Sequence, residues 1–450
     1  MTLSFPSIEQ CERATARHTG PATVAHREPD GVHGLCQRQQ ASGRRLSTRW
    51  ALLLVHCTLF MALACGQAWA QNTTSVPTSM YGVGELAPGE GGRYAGMGNV
   101  GIALNRLGFQ NTYNPAAITR MDTLCFTFDV GATASFSRYS FLSDQENSLQ
   151  GNPSKFSLGF RALKRWYMVL GAAPYSSVGY LIYSENEIEG AVGSYVYSTF
   201  EGDGGLWKFY MTNAYQLLPN LSLGVNVGMV LGKITQSETQ ESAVVEYSSK
   251  QRAFYIDAGF YYEITDRAKR RWGIGATFSP HMELVRDNDL TYSNSSTSET
   301  MEKVYHNSRH YLPMHIGAGL SLTTRRWVAT ADYNYVDWSK SYTNYTSMTY
   351  ENQHKINAGF IWVTNPRMAR SMEYMAGVGY SNSYISLKSG KMKYIEGSVG
   401  VSIPIRYSFV GVGLSWRQQV NSRSGMMQES RISLNVSMTF GERISKSKLR

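Results

Sequence analysis

From residue 123 onward, apolar and polar positions alternate in twos. Leu124, Phe126, Phe128, Val130, Ala132, Ala134 and Phe136 interleave with Cys125, Thr127, Asp129, Gly131, Thr133, Ser135 and Ser137. Successive side chains of a strand point to opposite faces, so one face here is apolar and the other small and polar. The pattern returns at Leu221–Met229, at Phe254–Tyr262 and at Ile432–Phe440. Soluble β-sandwiches also alternate. Here, however, the predicted strands run to roughly ten residues or more, against five or six in soluble sheets. Short turns also take turns with long polar stretches, as in outer-membrane barrels.

Counting gives strands near 123–138, 155–163, 166–182, 206–217, 221–233, 251–264, 272–285, 310–322, 327–338, 353–363, 372–384, 392–404, 408–419 and 431–440. That is fourteen, and single-chain bacterial barrels carry an even number. The expected fold class is all-β: a membrane-spanning antiparallel β-barrel over 123–441, with a tail at 442–450. The predicted long loops are 139–154, 183–205, 234–250, 286–309, 339–352 and 420–430, and 183–205 has room for an extra hairpin. The short turns are rich in Lys and Arg, and the long loops carry Glu185, Glu187, Glu189, Glu238, Glu241, Glu246, Asp287 and Asp289.

Residues 71–122 precede the first strand and do not alternate. The Gly-dense part reads MYGVGELAPGEGGRYAGMGNVGIALNRLGFQNTYNPAAITRMD. Too small to fold alone, it suits a plug in the lumen, because irregular backbone at membrane depth must be buried in protein. Gly96-Met97-Gly98-Asn99-Val100-Gly101 fits G-x-G-x-x-G, but no strand precedes it, so a dinucleotide site is not expected.

Two groups of residues carry a family resemblance: Tyr94-Ala95-Gly96-Met97-Gly98 and, more specifically, Asn114-Pro115-Ala116-Ala117-Ile118-Thr119. The segment resembles the N-terminal hatch of the FadL-type outer-membrane transporters of long-chain fatty acids and other hydrophobic compounds. The resemblance is specific over residues 80–122 and architectural beyond. It implies a fourteen-stranded barrel plugged by the hatch, with Asn114, Pro115 and Ala116 as the hatch motif. Gly171-Ala172-Ala173-Pro174-Tyr175-Ser176-Ser177 is similar to the family's inward-kinked third strand, which places the kink at Pro174 and a side gap beside it.

The N-terminus reads as targeting sequence. Arg44, Arg45 and Arg49 precede the apolar run ALLLVHCTLFMALAC, and Ala68-Trp69-Ala70 follows. This is a signal peptide over 46–70, cleaved before Gln71. Lipidation at Cys65 is the alternative, with Leu one place late for that motif. Residues 1–45 fit no signal pattern and read as an extension or a start set too far upstream. No apolar run of 18 residues lies beyond the N-terminus, which excludes a multi-span helical protein. The formal net charge is +10, but no basic helix accompanies it, so nucleic acid is not an expected partner. Of the cysteines, only Cys125 lies in the body, so no intrachain disulfide framework forms there.

The sequence carries no nucleophile elbow, Walker loop or CxxC, so neither an enzyme nor a cofactor is expected. His306, His310 and His315 fall on a loop and a strand start, where spacing of four does not share a face. Alternation aims Arg161, Lys355, Arg417 and Arg431 into the lumen beside Asp129, Asp257, Asp332, Glu373 and Glu396. Such charges mostly pair across a lumen; alternatively, one of the four cations meets a ligand carboxylate.

The expected function is transport of a hydrophobic small molecule, by the resemblance a long-chain fatty acid, across a Gram-negative outer membrane with lateral exit. The expected partners are outer-membrane lipid, the hydrophobic ligand and the barrel-assembly machinery that inserts such proteins, and the expected state is monomeric. Two rivals stand beside it: a FadL-like outer-membrane component of a protein secretion system, which binds protein, and a general porin or structural outer-membrane protein.

Overall fold

The computed structural model describes residues 76–443, apart from 88, 90–91, 107, 122–124, 142–143, 188–192, 307–309, 342–347, 369, 388–389, 406–407 and 422–425. The signal peptide, its cleavage point, Cys65, the 1–45 extension and residues 444–450 lie outside the described residues.

Fourteen staves follow in chain order: β1 Cys125–Phe141, β2 Asp144–Leu163, β3 Trp166–Glu187, β4 Tyr195–Leu218, β5 Leu221–Gln240 and β6 Ala243–Thr265. β7 is Arg271–Ser279 continued by Met282–Asn294. β8 runs through Glu299–His306, His310–Leu312 and Met314–Thr323. Then come β9 Trp327–Asp337, β10 Met348–Tyr350 with Gln353–Val363, β11 Glu373–Leu387, β12 Gly390–Ile405, β13 Ser408–Gln419 and β14 Gln428–Arg443. Each stave pairs antiparallel with its neighbours in sequence. β14 closes on β1 from Arg443 opposite Cys125 to Gln428 opposite Ser140. Closure removes the sheet edges, so the backbone of each stave is satisfied within the protein, as a bilayer requires.

The period-two pattern sorts as predicted. Phe126, Phe128 and Phe136 face outward and stay exposed, whereas Thr127, Asp129, Ser135 and Ser137 are buried toward the lumen. Exposed Trp166, Tyr215, Trp272, Trp362 and Tyr374 all lie within a few residues of the short turns. Outer-membrane barrels carry aromatic girdles of this kind at the bilayer surface.

The stretches predicted as long loops are mostly strand. β1 and β2 pair up to Phe141 opposite Asp144, β5 and β6 up to Gln240 opposite Ala243, and β3 and β4 up to Glu187 opposite Tyr195, well inside the stretch 183–205 predicted as loop. Once a hairpin rises out of the apolar layer both faces meet water. Alternation then fades although the ladder continues, which is why the sequence pattern ends before the strand does.

Candidate functional site

The lumen is filled by residues 76–121, which contain no α-helix among the described residues, only 3-10 turns at Pro77–Met80, Gly92–Met97 and Pro115–Ile118 and a two-residue strand, Glu85–Leu86. Such irregular backbone inside a barrel must find its partners in the wall. Four clusters of these contacts stand out.

At the short-turn end, buried Glu373 of β11 accepts from Arg93 at 3.0 Å, from Arg106, and from the Tyr94 hydroxyl at 3.2 Å. Arg93 also donates to Ser402 at 2.7 Å and lies 3.4 Å above the Phe409 ring. On β9, Asp332 accepts from the Gly101 and Ile102 amides at 2.6 and 2.9 Å. On β1 and β2, the fully buried pair Asp129–Lys155 closes at 2.6 Å, and Ser157 donates to the Gln110 side chain at 2.7 Å.

The fourth is the hatch motif. The Asn114 side chain accepts from the Ala116 amide at 2.9 Å and caps the turn that Pro115 opens. Pro115 fits this first helical position because it has no N–H to lose. The Asn114 amide also donates to the Ile102 carbonyl at 2.7 Å and, across to β6, to the Phe260 carbonyl at 3.0 Å. Ala116 is fully buried. In Asn114→Ala the two carbonyls and the Ala116 amide lose their partner, at about 1–3 kcal/mol for each buried group left unmade. The expected result is faster amide exchange over 101–118 with unchanged exchange in β11–β14, read by mass spectrometry.

The glycines of the G-x-G-x-x-G stretch serve close approach. A Cβ on Gly96 would lie 2.5 Å from the Gly400 Cα, and one on Gly101 2.3 Å from the Tyr113 ring. Gly98 has φ +72 and passes its amide to Ser398 at 2.7 Å. The stretch lets loop backbone lie flat on strand backbone, with no phosphate cradle involved.

Toward the long-hairpin end the hatch meets an apolar cluster. Val83 packs with Leu206, Val230, Leu284, Leu312 and Trp338. Trp338 stacks on Tyr384 at 4.4 Å and on Tyr350 at 5.7 Å, and the Tyr384 hydroxyl donates to the Gly84 carbonyl.

Beside this cluster the wall changes. The β2–β3 ladder ends at Phe156 opposite Ala172. β2 goes on paired only with β1, and β3 goes on paired with β4. Pro174 lies at this point, in a register shift between Pro174 and Ser176 against β4. A proline donates nothing to a ladder and belongs at such an irregularity. Above it the hatch strand pairs with β3, Glu85 opposite Ser177 and Leu86 opposite Ser176, and the Val76 amide reaches the Gly179 carbonyl at 2.8 Å.

Of the four lumen cations singled out in the sequence, two are taken by the hatch. Arg431 pairs with Glu85 at 2.7 Å and Glu429 at 2.8 Å. Arg417 lies 3.6 Å from both Glu85 and Glu396. The partner, Glu85, was invisible to strand counting because the hatch has no period. Arg161 sits near the short turn, opposite Tyr167. Half-buried Lys355 lies on β10 opposite Asn334, and neither Arg161 nor Lys355 has an ion pair among the described residues. His315 bonds Asn334 at 2.9 Å, and no group of His, Cys, Asp and Glu among the described residues could hold a metal.

A closed fourteen-stranded barrel with an ordered segment locked in its lumen, opened at one seam, is the architecture of the hatch-plugged outer-membrane channels. A model of the BamG family matches residues 53–448, and the chain belongs to that family. Against the curated proteins no sequence matches. Among solved structures, the P. putida toluene transporter TodX is similar at TM-score 0.56 and 12% identity, over 80% of this chain and 99% of that one. The Ralstonia pickettii toluene transporter TbuX gives TM-score 0.56 and 13% identity, over 80% and 99%. A Pseudomonas aeruginosa FadL homologue gives 0.52 and 13%, over 79% and 98%. At such identities the likeness is one of fold, and it is the fold of the FadL-type barrels.

Proposed function

We propose that the protein sits in a Gram-negative outer membrane and passes a hydrophobic small molecule from the long-hairpin side into the bilayer. The observation that carries this reading is the seam: the β2–β3 ladder stops at Ala172, and the hatch strand, not β2, lies along β3 beside the apolar cluster around Trp338. An apolar molecule released to water loses its hydrophobic stabilisation, whereas release sideways into lipid keeps it. In this reading the ligand takes the place of Val83 and Leu86 when the strand Glu85–Leu86 leaves β3, and Lys355 meets a carboxylate if the ligand has one. The solved relatives are named as toluene transporters and a FadL homologue, so an aromatic hydrocarbon and a long-chain fatty acid are the two substrates to try first.

A second reading, a barrel that binds protein, is favoured by the raised hairpins. Leu149, Tyr197, Met301 and Val304 stand exposed on them, away from the aromatic girdle. Uptake of labelled toluene and labelled oleate by cells with and without the gene, together with surface-protein delivery in the same strains, separates the two. Pro174→Val restores a ladder donor at the seam and is expected to cut uptake several-fold while leaving a heat-resistant barrel. Uptake equal with and without the gene ends the transport reading; loss of surface proteins in its place establishes the second.

A further inference from the structure

At the short-turn end of the lumen lies a cavity of about 290 Å³. Arg93, Arg106 and Arg120 reach it from the hatch, and Lys269, Arg271 and Arg325 from the turns and strand ends of the wall. Glu373 is the one carboxylate of its lining and is already held by Arg93 and Arg106. Glu263, beside it, takes Arg120 at 2.6 Å and Arg271 at 3.6 Å. Asp266 of the same turn is taken by Arg270 at 2.8 Å. Lys269 and Arg325 have no ion pair among the described residues. Six cations thus face one small space against two carboxylates. Like charges so placed repel, and an anion between them relieves the repulsion.

Asn105 adds a second observation. It is buried, lines the cavity, and its Oδ1 has no hydrogen-bond partner, while its Nδ2 lies 3.3 Å from Thr119 Oγ1. Turning the amide over lets Thr119 donate to Oδ1, since the placement of O and N in an amide follows from its hydrogen bonds.

We infer that this cavity is a phosphate-binding site that ties the hatch to the barrel. A carboxylate carries one charge and two oxygens. A phosphate carries up to two charges and three or more oxygens, which matches several guanidinium forks converging from both sides. Val363, Pro366, Met368 and Phe409 line the cavity as well, so it offers an apolar wall beside the cations. The phosphate is therefore either free in solution or the monoester headgroup of a phosphatidic-acid type of lipid. Because three of the cations are hatch residues and three belong to the wall, occupancy holds the plug in place.

The test is calorimetric titration of inorganic phosphate into full-length protein in dodecyl maltoside, against chloride at matched ionic strength, since screening alone acts equally through both. Binding is expected for the wild type. Loss of two cations that touch no carboxylate, in the double variant K269Q/R325Q, is expected to weaken it roughly tenfold or more, as each charge-assisted hydrogen bond carries that much. The variant's heat-modifiable migration checks that it folds. Competition by dihexanoyl phosphatidic acid identifies a lipid headgroup as the source; undiminished phosphate binding in its presence identifies free phosphate. If neither ligand binds, or the double variant binds as tightly as the wild type, the inference is overturned.

Discussion

In Glu373→Ala the hatch comes loose at the short-turn end while the barrel stays closed. Glu373 is buried, as is Arg93, and it receives Arg93, Arg106 and the Tyr94 hydroxyl together. Removing it leaves the Arg93 and Arg106 guanidinium groups without the carboxylate that holds them both. Losing one partner of a buried ion pair costs about 3–5 kcal/mol, far more than the pair itself contributes. The ladders of β10, β11 and β12 do not pass through that side chain, so the cost falls on hatch docking. Local opening of the segment should therefore become about 10²–10³ times more frequent. Hydrogen exchange of the 92–106 amides reads this directly, and protection there equal to wild type would show that Glu373 does not hold the hatch. Glu373→Gln keeps the shape and the acceptor oxygen but not the charge; it is expected to fall between the two. Arg106→Met added to Glu373→Ala should recover part of the loss, because it removes one of the stranded cations.

How much of this was readable in the chain differs by element. The staves were legible because a wall with lipid on one side and packed small residues on the other forces a strict period of two. Phe126/Thr127/Phe128/Asp129 states both faces in four residues. The upper hairpins were not legible: at Ser237, Glu238 and Thr239 both faces meet water, and nothing in the pattern separates a paired strand from a loop. The hatch could be recognised from Asn114-Pro115-Ala116, whose cap geometry is local. Its anchoring could not, because Glu85, Arg93 and Gln110 find partners 280 or more residues away in some cases, as Arg93 does with Glu373. Alternation aimed Arg417 and Arg431 inward correctly but could not say that a hatch carboxylate meets them. The short-turn cavity was foreshadowed only as a basic bias of the turns. Arg93, Arg106 and Arg120, which make it a site, come from the segment with no period.

Gly96→Ala should leave the plug unseated over its Gly-rich stretch. The added Cβ would stand 2.5 Å from the Gly400 Cα, 2.6 Å from its nitrogen and 2.7 Å from the Val399 carbonyl carbon. None of these is the movable end of a side chain. Gly400 is held on both sides, opposite Met375 on β11 and Gly413 on β13, so the wall cannot retreat without breaking two ladders. The hatch has to lift instead. That draws Gly98 away from Ser398 and Asn357, whose bonds to its amide and carbonyl are both 2.7 Å long. It also strains the pair of amides on Asp332. Overpacking of a side chain against side chains costs about 1–3 kcal/mol, and a clash with fixed backbone sits at or above the top of that range. Gly151→Ala is the matched control, since a Cβ there meets nothing within 4 Å. In planar bilayers wild type and Gly151→Ala should conduct alike, and Gly96→Ala should show larger, fluctuating ion currents as water enters past the lifted segment. The same substitution at Gly400, on the opposite side of the contact, should reproduce the leak, because its Cβ would lie 2.9 Å from the Gly96 Cα. A Gly96→Ala barrel as tight as wild type would mean that the hatch does not seal the lumen by lying backbone to backbone on β12.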